Sequence, residues 1–179
     1  MILDGGKCEV GLESTVIDLS GDIPTLLRPG GITLKELRDA IGRVDVNPKI
    51  LEEVSDNEAV ASPGMKYKHY APNAPVFIVD GESEAFREYV IRDSENKKAA
   101  VLCFDEEAPL FDGTDIHVVT YGRLSHPEEL AKELFSSLRE LDDLSPDIIY
   151  AREPSCSDGI ELAVVNRLSR AAAFSRISV

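Results

Sequence analysis

The sequence predicts an α/β protein whose C-terminal part is an open, mainly parallel, Rossmann-like sheet with flanking helices. Short apolar runs alternate there with stretches of helical periodicity, which is typical of parallel sheets that are buried on both faces. The charge also changes along the chain, since residues 74–179 carry 11 basic and 21 acidic side chains and so most of the net charge of −14. With 43 % hydrophobic residues, the chain can build a core.

Four strands and three helices are predicted in this C-terminal part. The strands are mostly apolar runs at residues 76–79, 99–104, 117–120 and 148–151. The helices cover residues 83–92, a stretch from about 127 with leucines at spacings of four, four and three, and a last stretch to about 173. Neither a Gly-x-Gly-x-x-Gly turn nor a Walker-type phosphate loop occurs here, so no cofactor is expected in this sheet.

Capping boxes are predicted to begin three helices. Thr33 and Glu36 have the spacing of such a box, and the helix that they begin should end at Gly42. The segments 125–128 and 158–161 show the same pattern at the starts of the last two helices.

Residues 1–50 contain too few elements for more than a marginal core of their own. Strands are predicted at residues 11–19 and 25–28, and one helix follows them. So small a unit buries little surface. We therefore interpret it as the C-terminal end of a larger domain. Its strand edges require a chain–chain contact through residues 1–50, or mobility there.

A linker at residues 59–75 separates this part from the domain at residues 76–179. Its prolines and its glycine exclude a continuous helix or a central strand. The linker also carries aromatic and basic side chains, which a flexible tether would lack, so it is expected to lie against another surface. These side chains are Lys66, Tyr67, Lys68, His69 and Tyr70.

The composition limits what the protein can bind. A pI near 4.6 argues against a surface that binds nucleic acid or an anionic membrane. No apolar run approaches the about 20 residues of a membrane-spanning helix. Three cysteines without metal-ligand spacing are interpreted as reduced thiols, which together with the lack of a signal peptide predicts a cytoplasmic protein. His117 and His126 have no sequence neighbours that suggest a metal site.

Three motifs occur in one order along the chain. They are Glu13-Ser14-Thr15-Val16-Ile17-Asp18, Leu27-Arg28-Pro29-Gly30-Gly31 and Ser62-Pro63-Gly64-Met65-Lys66-Tyr67-Lys68-His69-Tyr70-Ala71-Pro72. This series resembles the two-domain threonylcarbamoyl-AMP synthases, in which a linker joins a YrdC-type catalytic domain to a Rossmann-like accessory domain. Residues 159–168 resemble the last helix of that accessory domain. By this resemblance, residues 1–58 are the terminal strands and helix of a truncated YrdC-type α/β domain.

The resemblance implies an adenylyl transfer. L-threonine, bicarbonate and ATP yield threonylcarbamoyl-AMP and pyrophosphate, and the product serves the threonylcarbamoyladenosine modification of tRNA. ATP would be a substrate accompanied by Mg²⁺, with no bound metal site within this chain. The tRNA-modification machinery would be an indirect partner, and neither direct nucleic-acid binding nor membrane contact is expected.

The resemblance also implies roles for residues of the motifs. Ser14 matches a serine that lies near threonine and phosphate, although an exposed strand serine is an alternative reading. Arg28 matches an ATP-phosphate contact, and its alternative is an ordinary surface arginine. Tyr67 and Tyr70 match the tyrosines of a lid over the nucleotide. The alternative is that these two tyrosines hold the two domains together.

Two further sets of motif residues are interpreted by position. Glu13 and Thr15 alternate with Ser14 along the predicted strand, so their side chains should lie on its opposite face and be structural. The basic residues of the lid linker would attract a polyanion such as ATP, and they are Lys66, Lys68 and His69.

The chain departs from the family pattern in one respect. The Lys-x-Arg and Ser-x-Asn pairs that bind triphosphate and threonine have no counterpart here, so no complete catalytic set is present and the chain alone is expected to be inactive. An alternative is a non-catalytic interaction or regulatory module that acts through its acidic domain. A second alternative, a small Rossmann-like nucleotide-binding enzyme, lacks the expected glycine-rich loop.

Overall fold

The computed structural model of the chain describes residues 1, 3, 6, 8–52 and 71–179. The elements of the first part are β1 (Val16–Asp18), β2 (Thr25–Arg28), α1 (Leu34–Ile41), β3 (Asp45–Val46) and a 3-10 turn (Pro48–Ile50). The elements of the second part, from residue 71 onwards, are β4 (Val76–Asp80), α2 (Ser83–Asp93), β5 (Ala99–Cys103), a 3-10 turn (Ala108–Phe111), β6 (His117–Thr120), α3 (Pro127–Asp143), β7 (Ile148–Ala151), α4 (Glu161–Ala171) and β8 (Arg176–Ser178).

The strands of the second part form one parallel sheet in the order β6-β5-β7-β4-β8. Side chains of β5 alternate between the two faces of this sheet. Ala100 and Leu102 join a core with α3 and α4, whereas Val101 and Cys103 join a second core with α2. Helices therefore cover both faces, as uninterrupted apolar strands require. The predicted α/β class, with an open parallel sheet and flanking helices, is confirmed.

The predicted strands of the second part are all present, and β8 is an additional strand that the sequence pattern does not reveal. Strands β4 to β7 begin at the predicted residues. In β8, a single apolar residue, Ile177, stands between Arg176 and Ser178, so no apolar run marks it. Its parallel pairing with β4 places it at the outer side of the sheet.

The smaller sheet has the order β1-β2-β3. The strand predicted at residues 11–19 is wrong in its first half, because β1 begins only at Val16. Gly11 has a φ of +76°, and a Cβ there would come within 2.4 Å of the Lys132 Cα in α3. The chain at Gly11 therefore packs closely onto α3 instead of pairing with β2.

The first part completes its core with a residue of the last helix. The core residues are Leu26, Leu34, Val44, Ile50 and Leu162, of which the last belongs to α4. This small core fits the view that residues 1–58 do not form an independent unit, while the predicted domain boundaries and the expected chain–chain contact or mobility stay predictions.

One of the three predicted capping boxes is confirmed. Thr33 Oγ1 accepts a hydrogen bond from the Glu36 amide, the Glu36 carboxylate accepts one from the Thr33 amide, and α1 ends at Gly42 as predicted. The boxes at 125–128 and 158–161 are wrong, since neither α3 nor α4 has a side-chain cap. Their capping groups have other partners.

These other partners explain the two missing caps. Ser125 Oγ shares a 2.9 Å hydrogen bond with His126 Nδ1, and His126 occupies the N-cap position of α3. The Asp158 carboxylate forms an ion pair with Arg38 at the end of α1. A local sequence pattern cannot anticipate a tertiary partner that is 120 residues away.

The carboxyl ends of β5, β7 and β4 form the crevice in which a Rossmann-like sheet ordinarily binds a ligand, because the chain leaves β7 toward one face of the sheet and leaves its neighbours β5 and β4 toward the other. Here Arg152 and Glu107 form an ion pair, and their side chains are 12 % and 6 % exposed. Glu107 Oε1 accepts hydrogen bonds from Arg152 Nε at 2.9 Å and Ser83 Oγ at 2.8 Å. Arg152 Nη1 binds the Val79 carbonyl at 2.9 Å. The protein's own side chains thus occupy the crevice at the carboxyl ends of these strands.

Replacing Arg152 with methionine is expected to destabilise the fold by about 3–5 kcal/mol, because the buried Glu107 carboxylate loses its counter-charge. Glu107 Oε2 already has no hydrogen-bond partner among the described residues. The matched control is Lys97→Met, which removes a more exposed pair with Asp93 and should cost less than about 1 kcal/mol. Urea unfolding near neutral pH measures both losses. Equal losses in the two variants would contradict this account of the crevice.

Candidate functional site

Ser14 and Arg28, two residues that the sequence motifs single out, are in direct contact. Arg28 ends β2, and Ser14 lies in the segment before β1. Arg28 Nη2 donates a hydrogen bond to Ser14 Oγ at 3.1 Å, and Arg28 Nε donates one to the Ser14 carbonyl at 3.0 Å. Ser14 is exposed and Arg28 is half-buried, so a ligand can reach the pair. We call these two residues the Ser14–Arg28 pair.

A glycine brings the two segments of this pair together. A Cβ on Gly30 would lie 2.4 Å from the Glu13 carbonyl oxygen and 2.5 Å from the Thr15 nitrogen, distances that no side chain can accept. On the other side of the turn, Thr15 Oγ1 donates to the Ile32 carbonyl at 2.6 Å and accepts from the Ile32 amide at 3.0 Å. These contacts fix the segment at residues 13–15 against the turn that follows β2.

A third residue, Arg167, binds both of these segments, although it belongs to α4 in the second part of the chain. Arg167 Nε donates to Glu13 Oε2 at 2.7 Å, and Arg167 Nη2 donates to the Pro29 carbonyl at 3.0 Å. Arg167 Nη1 binds Asn166 Oδ1 at 2.5 Å. Arg167 is 7 % exposed. Burial alone would raise the pKa of Glu13, but the charge and hydrogen bond of Arg167 outweigh it and hold that pKa below its ordinary value.

The sequence motifs do not single out Arg167. Glu13 is predicted to be structural, and its ion pair with Arg167 agrees with that interpretation. The available signal was the adjacent polar pair Asn166-Arg167 within a helix whose neighbours are apolar. Both side chains are buried, which is unusual for an arginine without a specific partner.

Further bonds join α4 and the loop before it to the first part of the chain. Asn166 Nδ2 donates to the Ile50 carbonyl at 2.5 Å, and Arg170 Nη2 donates to the Lys49 carbonyl at 3.2 Å. The Lys35 amide donates to the Asp158 carbonyl at 3.0 Å. The Ser14–Arg28 pair therefore belongs to an assembly in which both parts of the chain take part.

The Ser14–Arg28 pair has the chemistry of an anion site. Among the described residues, Arg28 donates its hydrogen bonds from Nε and Nη2, and Nη1 has no partner. A guanidinium with a free donor edge suits a phosphate or carboxylate oxygen. Because Ser14 Oγ accepts from Arg28, its own proton is left for donation to a ligand.

A nearby cavity is unsuited to an anion. It has a volume of about 420 Å³ and lies where α1, α3 and α4 begin. Four carboxylates line it, and they are Glu9, Glu36, Glu128 and Glu161. Negative charge at this density repels a triphosphate. The cavity therefore does not compete with the Ser14–Arg28 pair as a nucleotide site.

The predicted lid residues lie outside the described residues, so the structure does not place them. They are Lys66, Tyr67, Lys68, His69 and Tyr70. Within the described ranges, no three or more His, Cys, Asp or Glu side chains are grouped as a metal site would require. His117 lies in β6 and His126 at the start of α3, as predicted. The three cysteines are free thiols. Among the described helices, none combines the length and apolar character of a membrane span.

Comparison with known proteins identifies relatives of this chain. Residues 32–173 match the family model described as "Threonylcarbamoyl-AMP synthase, C-terminal domain". A threonylcarbamoyl-AMP synthase of Bacillus subtilis is 38 % identical over 172 residues, which are 96 % of this chain and 48 % of that protein. The chain thus spans about half the length of the curated relatives that it matches.

Solved structures agree in sequence and in fold. Pyrococcus abyssi Sua5 complexed with L-threonine is 36 % identical, with a TM-score of 0.82 over 98 % of this chain and 50 % of that one. A variant of the same protein, in which alanines replace a histidine and the tyrosine after it, is 35 % identical, with a TM-score of 0.80. That match covers 98 % of this chain and 49 % of the other.

Substituting alanine for Gly30 is expected to separate the two segments of the Ser14–Arg28 pair. The added methyl group would overlap backbone atoms of residues 13–15, which should cost about 1–3 kcal/mol of unfolding free energy. The control is Gly21→Ala, because its Cβ would meet the Ile23 carbonyl oxygen at an ordinary 3.8 Å. Thermal unfolding of both variants provides the comparison. If Gly30→Ala is as stable as Gly21→Ala, the close approach at Gly30 does not constrain the site.

Lowering the pH is expected to remove the stabilisation that the Glu13–Arg167 ion pair provides. Because folding lowers the pKa of Glu13, this stabilisation is complete above the unfolded value of about 4.3 and is lost as the pH falls through the lower folded value. The difference in urea midpoint between wild type and Glu13→Gln should therefore shrink from neutral pH toward about pH 3. A difference that does not change over this range would rule out the ion pair as its source.

Proposed function

Since this chain belongs to the threonylcarbamoyl-AMP synthase family, we propose that it forms one wall and the lid of the active site of such a synthase. The reaction joins L-threonine, bicarbonate and ATP into threonylcarbamoyl-AMP and releases pyrophosphate, for the threonylcarbamoyladenosine modification of tRNA. The observation that carries the proposal is the contact between Ser14 and Arg28, because it places an anion-binding guanidinium beside a free hydroxyl donor.

The proposed chemistry assigns a part to each residue of the pair. The threonine amine and bicarbonate form a carbamate with loss of water. A carbamate oxygen then attacks the α-phosphorus of ATP, and the bond between the α- and β-phosphates breaks to release pyrophosphate. Arg28 binds phosphate oxygens and stabilises the charge on the leaving group. Ser14 donates a hydrogen bond from its hydroxyl to a threonine or phosphate oxygen. Mg²⁺ accompanies ATP and is held through the phosphates.

The linker acts as the lid in this proposal. Tyr67 and Tyr70 cover the nucleotide, and the neighbouring lid residues Lys66, Lys68 and His69 attract its phosphates. A solved variant of the Pyrococcus abyssi relative carries alanines in place of a histidine and the tyrosine after it, and His69-Tyr70 is the one His–Tyr step in this sequence. A closed lid would exclude water from the labile carbamate and from the mixed anhydride.

In this proposal the chain consists of three segments. Residues 1–58 are the end of the YrdC-type catalytic domain, residues 59–75 are the lid linker, and residues 76–179 are the accessory domain. The main cation set for the triphosphate is absent from these motifs, so the chain alone does not catalyse the reaction. The protein is cytoplasmic, it meets the tRNA-modification machinery through its product, and the acidic accessory domain does not bind nucleic acid directly.

Isothermal titration of Mg·ATP tests the role of Arg28. The chain is titrated alone and mixed with the half of the Bacillus subtilis relative that it does not match. Arg28→Met should weaken binding at least about tenfold, because a charge-assisted contact with phosphate contributes about 1.5–3 kcal/mol. The control is Arg43→Met, which removes an exposed arginine paired with Asp45. Equal affinities of the two variants would argue against Arg28 as a phosphate ligand.

Pyrophosphate release tests the division of the active site. The mixture, supplied with ATP, L-threonine and bicarbonate, should release pyrophosphate, and the chain alone should release none. Pyrophosphate release by the chain alone would contradict the proposed incomplete site. No ATP binding in either sample, together with a specific protein partner, would favour the non-catalytic interaction module instead.

A further inference from the structure

We propose that Arg167, in the last helix of the accessory domain, is a positioning residue for the Ser14–Arg28 pair. The inference rests on the proposed function, and it extends it by giving the accessory domain a part in substrate binding. Arg167 holds the residue before Ser14 and the residue after Arg28, and so fixes the distance between the two segments that present them.

The geometry of the guanidinium supports this role. The edge formed by Nε and Nη2 binds the Glu13 carboxylate and the Pro29 carbonyl, at 2.7 Å and 3.0 Å. The other nitrogen, Nη1, binds Asn166 Oδ1 on the same helix. A guanidinium is planar and rigid, so donors on one edge hold their two acceptors at a set separation. Bonds to Glu13 and Pro29 therefore fix where Ser14 and Arg28 stand relative to each other.

The burial of these groups supports the role as well. Arg167 and Asn166 are 7 % and 3 % exposed. Apolar side chains would join the two parts of the chain at a lower desolvation cost, but their contacts have no preferred direction. Buried hydrogen bonds, in contrast, define one arrangement, because any shift leaves a polar group unpaired.

The charges give a second reason for this arrangement. Glu13 lies close enough to Arg28 for their charges to interact, and it interacts more strongly with Arg167. Without Arg167, the Glu13 carboxylate would compete with a phosphate for the Arg28 guanidinium. Arg167 therefore leaves Arg28 available to an anionic ligand.

Two arginines of the same helix provide a matched comparison. Arg170 lies three residues after Arg167, and it also bonds a carbonyl of the first part, at Lys49. Arg167→Met and Arg170→Met each remove a buried or half-buried arginine that joins the two parts of the chain. Arg167 bonds the residues that flank the Ser14–Arg28 pair, whereas the bond of Arg170 goes to the Lys49 carbonyl. A purely structural role would affect both variants alike.

The first measurement needs no ligand. In ¹⁵N-edited NMR spectra of the full chain, the hydrogen-bonded Arg28 Nε–H, identified by its loss in Arg28→Lys, should be present in wild type and in Arg170→Met. It should be lost or exchange-broadened in Arg167→Met. An unchanged Arg28 Nε–H signal in folded Arg167→Met overturns the inference, whatever the chain binds. This result is independent of the proposed function.

The second measurement uses Mg·ATP and the mixture with the complementary half of the relative. Arg167→Met should raise the Kd for ATP about tenfold or more, whereas Arg170→Met should leave it within about twofold. In an Arg28→Met background, Arg167→Met should add almost nothing, because it acts through Arg28. Additive losses, or equal losses in the two helix variants, overturn the inference. If wild type binds no ATP, the proposed function fails, and the NMR comparison still decides the positioning role.

Discussion

The burial of helix α4 between the two parts of the chain is the interaction on which the rest of this structure depends. One side of the helix packs on the large sheet, where Val164 and Leu168 join the main core. Leu162 enters the core of the small sheet. The buried polar residues Asn166 and Arg167 bond the segments beside the Ser14–Arg28 pair and the Pro48–Ile50 turn. The small sheet, with few core residues of its own, thereby gains both apolar contact and fixed hydrogen bonds.

The role of the large sheet follows from the same arrangement. In most open α/β sheets the crevice at the carboxyl ends of the strands binds the ligand. Here Arg152 and Glu107 fill that crevice, and no glycine-rich loop follows β4. The acidic surface of this domain also disfavours a polyanion. The sheet is therefore best understood as a rigid base that presents α4, and the candidate anion site lies outside it, at the Ser14–Arg28 pair.

The sequence predicts those features that depend on local pattern, and it misses those that depend on distant partners. The apolar run of β5 and the Thr33 box are local, and both predictions are confirmed. The cap at Asp158 fails because Arg38 takes its carboxylate, and β8 is missed because one apolar residue makes no pattern. Only motif resemblance singles out Ser14 and Arg28, since an isolated serine or arginine carries no signal of its own.

Arg167 shows why part of the candidate site could not be predicted. Its partners, Glu13 and Pro29, are more than a hundred residues away in sequence, and they become neighbours only when α4 packs against the first part of the chain. Helical periodicity explains a buried apolar position, but it gives no reason for a buried arginine. That reason lies in direction. Apolar packing is not directional, so it tolerates many small displacements of one part of the chain relative to the other. The hydrogen bonds of the guanidinium allow one arrangement of the two parts. A site that needs a serine hydroxyl and an arginine at a set distance requires the second kind of contact, and the chain provides it from its last helix.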